Sequence, residues 1–496
     1  MDYALLIAAF TEQHRARGWP RQRLLHECLR AAIRNGTLGA GSRLVATRAL
    51  AAELGVARNT VLYAYEQLAC EGYVSTDRRG TIVAALAPEF AAPAPAAAHA
   101  GLSSRARELR PMSGISDSMR GFMPGVPALE QFPLALWRRM LERAWRGLTV
   151  AQLNYAEPCG EAALREAIAD HLRASRGVVC EAGQVFITDG TQSSLDLCAR
   201  AFADHGDTAW LECPGYGGAL AAFRAAGLRV EPVAVDQDGI APQPQDWTQR
   251  PPRLIYTTPS HQYPTGSVLS LRRRLALIEQ ARGAGALIIE DDYDSEFRHD
   301  GPPLAAMQGL AADAPVLYLG TFSKTMFPSL RIGFVVVPRG QAPALAAMRA
   351  QSAARGRVAE QLALAEFLRS GQFALHLRRM RRLYRQRRDA LAAALGEHVG
   401  TVALVHGGSA GMHLALRFTD AALCDTSIAA QALELGIMTH ALSAHCDHAG
   451  EGGSDWRGLM LGYAQVPAEE MDGLVRRLAA LLHLAAYSAN RPRRSG

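Results

Sequence analysis

The apolar positions of this 496-residue chain follow a helical rhythm first and a strand rhythm later. Leu25, Cys28, Leu29 and Ala32 fall at i, i+3, i+4 and i+7, which predicts a helix ending near Asn35-Gly36. Leu50 and Leu54 mark a short second helix, with Thr47 as its N-cap and Gly55 at its end. Val61, Ala64 and Leu68 form the inward stripe of a third, which opens at Ala57-Arg58-Asn59-Thr60. Two β-like runs follow, Tyr73–Ser75 and Thr81–Val83, joined by Asp77-Arg78-Arg79-Gly80. The pattern over 1–83 is a helix, a helix–turn–helix and a wing.

From 84 to 112 the chain is rich in Ala and Pro and has no period, so it reads as an interdomain linker. Over 113–488, apolar runs alternate with long helical patterns. The runs are Gln184–Thr188, Ala209–Glu212, Leu254–Tyr256, Leu287–Glu290, Val316–Leu319 and Gly333–Val337. That alternation predicts an α/β domain with a mostly parallel central sheet.

No uncharged run of 18 apolar residues occurs, which argues against a membrane span. The short stretch Ala4 to Phe10 lacks a basic segment before it and does not read as a signal peptide. Eight Cys are scattered without a CxxC, which suits a reducing cytosol and not a disulfide scaffold. A cytoplasmic protein is expected.

The net charge is +6, and residues 1–83 carry 11 Arg against 7 acids. A basic small domain suits nucleic acid. The leading residues of a recognition helix meet base edges in the major groove of double-stranded DNA. Arg58, Asn59 and Thr60 hold those places, Arg48 starts the second helix, and Arg78 and Arg79 on the wing would reach the adjacent backbone. Spacing alone fits a protein-interaction module with a solvated charged face equally well.

Of the 53 basic side chains 52 are Arg, and the one Lys is Lys324. GC-rich coding accounts for the exchange, so position decides what the exception means. Arg keeps its proton, whereas Lys can lose it and form a Schiff base. Lys324 follows an apolar strand, at the end where open α/β sheets bind ligands. Ile288-Ile289-Glu290-Asp291-Asp292-Tyr293 also ends a strand in acids and a phenol. A carboxylate against a pyridine nitrogen keeps the ring an electron sink, as pyridoxal phosphate (PLP) chemistry requires. Gly190 and Thr191 open a helix whose first amides suit a phosphate, and Ser323 and Arg331 flank the Lys with a hydroxyl and a guanidinium. Tyr216, in a turn after another strand, is placed to stack on a flat ring. Singly, each has an ordinary structural explanation: a helix cap, a surface ion pair, a packed Tyr.

At these residues the chain resembles known families. AAIRNGTLGAGSRL and TRALAAELGVARNTVLYAYEQLACEGYV are similar to the winged helix-turn-helix of the GntR superfamily, except that Val45-Ala46-Thr47 stands where that family usually has Pro-Ser before the Arg. NYAEPCGEAALREAIADHL, TDGTQSSLDL, TTPSHQYPTG, IIEDDYDSEF and GTFSKTMFPSLRIGF resemble fold-type I, class I PLP-dependent aminotransferases, from about Gly121 to Pro467. The combination resembles the MocR family of bacterial regulators. The resemblance implies Lys324 as the PLP-linked Lys, Asp291 as the pyridinium partner with Asp292 as fallback, and Tyr293 as donor to the phenolic oxygen. Tyr216 would stack on the ring, while Gly190, Thr191, Ser323 and Arg331 hold the phosphate. Tyr155 would reach the phosphate of the other subunit of a homodimer, domain-swapped and head-to-tail. Tyr263 replaces the Asn common before Pro-Thr-Gly, with His261 two before it, which leaves one cofactor hydrogen bond open.

The effector is less constrained. Family members answering to GABA use an Arg where this chain has Gly218, and Arg457, the substitute for the usual carboxylate-binding Arg, is out of register. PLP itself as effector, controlling vitamin B6 supply, is favoured over GABA, with another amino compound still open. A working aminotransferase with an appended DNA-binding module is the alternative. His440, His445, Cys446 and His448 lack the spacing of zinc motifs, so no metal is expected. The seven Arg within 378–388 suggest a solvated helix face or a second contact to the DNA backbone.

Overall fold

A computed structural model of the chain describes residues 2–14, 18–77, 80–85, 103, 121–155, 157–301, 304–352, 356–446 and 456–489. Two compact units divide it, Met1–Leu102 and Ser103–Gly496. The expected linker, 84–112, lies outside the described residues apart from Ala84, Ala85 and Ser103. No described helix is long and apolar enough to cross a membrane.

The first unit contains α1 (Tyr3–Gln13), α2 (Arg21–Arg34), α3 (Thr47–Leu54), α4 (Arg58–Cys70), β1 (Val74–Asp77) and β2 (Gly80–Val83). The apolar positions converge as their spacing requires: Leu25, Leu29, Leu50, Val61, Ala64 and Leu68 share one core. Helix α1 was not foreseen. Asp2 caps it by accepting from the Leu5 amide at 3.0 Å, and Tyr3 is buried against the same core. Thr47 is not a cap: Ala46 holds that place, its carbonyl takes the Leu50 amide at 3.0 Å, and Thr47 is already helical. The Tyr65 hydroxyl donates to the Val45 carbonyl at 2.8 Å, fixing α4 to the segment that enters α3. Strands β1 and β2 pair antiparallel with Asp77 opposite Gly80, and Arg78 and Arg79 lie outside the described residues.

All six expected strands form in the second unit, within a residue or two. They are β3 (Val185–Thr188), β4 (Thr208–Cys213), β7 (Leu254–Thr257), β8 (Leu287–Asp292), β9 (Val316–Thr321) and β10 (Gly333–Val336). With β5 (Arg229–Asp236) and β6 (Gly239–Ile240) they make an eight-stranded sheet in the order β3-β10-β9-β8-β7-β4-β5-β6. The middle is parallel, as expected, while β10 runs antiparallel to both β9 and β3. Strand β5 escaped the sequence reading because RVEPVAVD breaks its apolar run with charges and a Pro. A second, four-stranded antiparallel sheet was also not anticipated: β11 (Ala403–His406), β12 (His413–Phe418), β13 (His440–Ala441) and β14 (Gly458–Gly462).

Helices cover both faces of the large sheet, which is why its inner strands are apolar throughout. They include α5 (Leu134–Gly147), α6 (Ala162–Arg176), α7 (Thr191–Phe202), α8 (Gly217–Ala225), α9 (Leu271–Ala284), α10 (Val358–Arg369), α11 (Gln372–His398) and α12 (Ala468–Ala489). Tyr256, Ile289 and Leu319 pack toward Leu195 and Phe223 on one face, while Ile255, Ile288 and Val316 pack toward Leu277 on the other.

The Arg-rich stretch of α11 is only partly a solvated face: Arg378, Arg379, Arg382 and Arg385 are exposed, while Arg387 is buried. Five of its Arg bind groups within the domain. Arg381 donates to the Glu296 carbonyl at 2.5 Å, Arg385 to that of His299 at 3.0 Å and Arg388 to that of Gly408 at 2.7 Å. Arg387 donates to the Ala464 carbonyl and Arg379 to Gln131. Arg378 and Arg382 are exposed.

Arg176, at the end of α6, is buried with Asp292 at 2.7 Å. It also donates to Ser260 at 2.7 Å and to the Leu304 carbonyl, while Tyr318 donates to Asp292 at 2.5 Å. Removing one member of such a pair leaves a buried charge uncompensated. Arg176→Met should therefore lower unfolding free energy by about 3–5 kcal/mol, read by chemical denaturation of the purified chain.

Candidate functional site

In the first unit, Arg58 and Asn59 are exposed at the start of α4, Thr60 is half-buried beside them, and Arg48 is exposed at the start of α3. Ala57 caps α4 without a side-chain bond, so the first turn keeps amides for an outside acceptor. The exposed face continues through Leu62 and Tyr63, which the sequence reading missed because apolar residues were assigned inward. Arg43 was missed as well. Its side chain lies under Gly80 at the base of the wing.

In the second unit the strand ends converge around Lys324, just beyond β9. Burial lowers its pKa, opposed by the carboxylates of Asp294 and Asp291 and reinforced by Arg331. Its Nζ donates to the Gly125 carbonyl at 2.7 Å. Strand β8 presents its two consecutive acids to opposite faces, because side chains alternate along a strand. Asp292 faces Arg176 and Tyr318. Asp291 faces the Lys324 side, where the Tyr256 hydroxyl donates to its Oδ2 at 2.8 Å. Its Oδ1 is buried with no hydrogen-bond partner. Burial raises the Asp291 pKa to about 7 despite that hydrogen bond. A buried carboxylate with one oxygen unspent is suited to a cationic ring N–H; Asp292 Oδ1 is unpartnered as well, but that side chain lies with Arg176 and Tyr318 on the opposite face.

Of the residues expected to hold a phosphate, Gly190 and Arg331 come close together. Gly190 precedes α7 with φ +94°, and a Cβ there would sit 3.4 Å from the Arg331 guanidinium carbon. Arg331 itself is left-handed, with φ +50°. Thr191 occupies the first turn of α7, and Ser323 is buried, its amide donating to Thr321 Oγ1 at 3.2 Å. Asp189 is held aside by Arg357.

An aromatic and imidazole wall completes the site. Tyr263 meets Tyr216 edge-on at 5.6 Å and Tyr293 at 6.0 Å. Tyr293 donates to the His261 carbonyl at 3.0 Å, and His261 Nδ1 lies 3.1 Å from both the Tyr293 oxygen and Asp294 Oδ2. His261 stacks near His413 of β12 at 4.6 Å. Burial drives the His413 pKa well below its usual value, and that of His445 down to about 4, so both are neutral. Glu212 at the end of β4 sets the loop carrying His261 and Tyr263, accepting from Thr257, from Thr258 and, at 3.1 Å, from Gln262. Asp294, adjacent to Tyr293, was readable in the motif. Tyr256 and His413 were not, since each lies inside an apolar run of a separate strand.

Several expected residues stand apart. Arg457 is exposed and donates to the Ala421 carbonyl at 2.6 Å. Tyr155 is 99% exposed in the single chain. Gly218 is confined, because a Cβ there would come within 2.5 Å of the Tyr216 ring. His440 lies in β13 and His445 packs edge-on against Tyr263 at 5.2 Å, while His448 is outside the described residues.

The fold and site thus define an aminotransferase-like domain following a winged helix-turn-helix. Residues 129–478 match the family of class I and II aminotransferases, and residues 22–83 match the gntR family of bacterial regulatory proteins. The chain is 40% identical over 477 residues to the probable rhizopine catabolism regulatory protein MocR of Rhizobium meliloti, covering 95% of each. It is 34% identical over 426 residues to the pyridoxine biosynthesis transcriptional regulator PdxR of Corynebacterium glutamicum, covering 84% of this chain and 87% of that one. Among solved structures it is similar to LysN, an α-aminoadipate aminotransferase from Thermus thermophilus complexed with N-(5'-phosphopyridoxyl)-L-leucine. That likeness has a TM-score of 0.67 and 29% identity, covering 78% of this chain and 96% of that one. The chain belongs to the MocR family of GntR-type transcriptional regulators.

The raised Asp291 pKa has a signed consequence. Between its usual value of 3.8 and about 7 the folded chain holds a proton that the unfolded chain releases, so this group's contribution to stability falls as pH rises. Buried His residues such as His445 oppose that slope, so the difference between two proteins is the useful readout. Relative to Asp291→Asn, the cofactor-free wild type should lose thermal stability from pH 4 to pH 7, measured by parallel melts.

Proposed function

We propose that the chain is a PLP-binding transcriptional regulator whose aminotransferase-like domain senses PLP or an amino compound at Lys324. The observation that carries this reading is the unspent Oδ1 of Asp291, buried beside Lys324 and the Gly190–Arg331 cradle. The bound group would supply a reactive aldehyde on an electron-accepting pyridine. Asp291 would take the ring N–H, Tyr293 would donate to the phenolic oxygen with His261 behind it, and Tyr216 and Tyr263 would cover the ring. Gly190, Thr191, Ser323 and Arg331 would bind the phosphate. The lowered pKa of Lys324 favours the neutral amine that attack on an aldehyde requires.

The exposed Tyr155, with Val150 and Leu153 beside it, supports a homodimer in which Tyr155 completes the partner's phosphate site, in the domain-swapped, head-to-tail arrangement. The winged helix would bind operator DNA in the cytoplasm through Arg48, Arg58, Asn59 and Thr60. The regulated process would be vitamin B6 supply or the metabolism of the sensed amino compound.

With PLP added, an absorbance band near that of a protein-bound imine should form and vanish in Lys324→Ala. Borohydride should label Lys324 alone, since no other Lys exists. Arg58→Ala should weaken retardation of the chain's own upstream DNA about 5- to 150-fold, the loss of one good base contact of about 1–3 kcal/mol. Footprints with PLP alone and with single amines distinguish the two signals. Sustained ketoacid production without specific DNA retardation would instead establish a working aminotransferase.

A further inference from the structure

Cys213 and Cys446 bring their sulfur atoms to 2.7 Å, although 233 positions separate them in sequence. Both are half-buried, in contrast to Cys28, Cys180 and Cys198, which are buried. They line one small cleft together with Gly215, Tyr216 and His445. Each thiol sits beside a piece of the site wall. Cys213 ends β4, three residues before Tyr216, and Cys446 directly follows His445, whose ring packs on Tyr263. The Gly215 amide already donates to the His445 carbonyl at 2.8 Å, so the two segments are held in register where the sulfurs meet.

We infer that Cys213 and Cys446 form an oxidation-sensitive thiol pair, a modification site for hydroperoxides, whose disulfide clamps the 440–446 segment to the Tyr216 turn and slows ligand exchange. The chemistry balances. One thiolate attacks the peroxide O–O bond, giving a sulfenic acid and, after proton uptake, water. The second attacks the sulfenic sulfur, forming the S–S bond and releasing a second water. Sulfur is oxidised by two electrons and the peroxide is reduced by two. In a reducing compartment such a bond is transient, as sensing requires.

The effect on exchange rests on the PLP-sensor reading, whereas formation of the bond does not. The full chain is treated with stoichiometric hydrogen peroxide, alkylated and mapped by peptide mass, then repeated after dithiothreitol. The expected result is loss of two of the eight alkylatable thiols as an intramolecular 213–446 cross-link, restored by reductant. Cys213→Ser and Cys446→Ser should each abolish it with unchanged melting. Alkylation of both residues in the oxidised chain, while exposed Cys70 and Cys424 react, overturns the pair. In PLP-loaded chain, oxidation should slow cofactor release in wild type and leave both Ser variants unchanged. A mapped cross-link with equal release rates overturns the clamp. Failure to load PLP at all would tell against the sensor reading and leave the cross-link map to decide the pair.

Discussion

The end of β8 sets the terms for the rest of the large unit. Two carboxylates follow each other on a strand, and the pleat sends them to opposite faces. Asp292 pairs with a guanidinium and accepts from a phenol through its Oδ2, so it anchors α6 and the loops behind the sheet. Asp291 meets only the Tyr256 hydroxyl and keeps one oxygen without a partner. Burial raises its pKa to about 7, which favours the protonated carboxyl over what an exposed aspartate would show. Lys324, whose ammonium form is disfavoured by the same burial, stands on the same side.

Around that core the fold recruits parts from distant segments. Arg331 reaches the start of α7 because β10 runs antiparallel between β9 and β3, which lays Gly333 against Gly190. The imidazole wall joins a loop after β7, the end of β8 and the smaller sheet. Glu212 fixes the first of these by gathering donors from Thr257, Thr258 and Gln262. Arg457 brings no guanidinium to this side, being held on the Ala421 carbonyl.

Much was legible along the chain. The six central strands, the three helices of the reader and the catalytic-type motifs all sit where apolar spacing and local residue type place them, since both depend on near neighbours. Lys324 stood out because composition had emptied the background around it. Less visible were elements whose burial comes from elsewhere. Helix α1 needs the α2–α3 core beneath it, β5 carries charges on its outer positions, and His413 looks like any polar residue in a short strand. The Arg residues of α11 were legible only in part for the same reason: a run of like charge suggests solvent, and only the packed domain offers Arg381, Arg385 and Arg388 the carbonyls they bind.

The sequence by itself indicated the class of protein: a winged helix-turn-helix followed by an α/β domain with one Lys and an acid–phenol motif at strand ends. Those features are local, so period and side-chain chemistry point to them, and the resemblance of whole motifs to known families selects among the readings that spacing leaves open. Tertiary structure alone decided which of two adjacent aspartates faces Lys324, which imidazoles stay neutral, and which two of eight cysteines touch. Each depends on what lies across a strand or at the far end of the chain, and burial energies act between segments that no spacing rule connects.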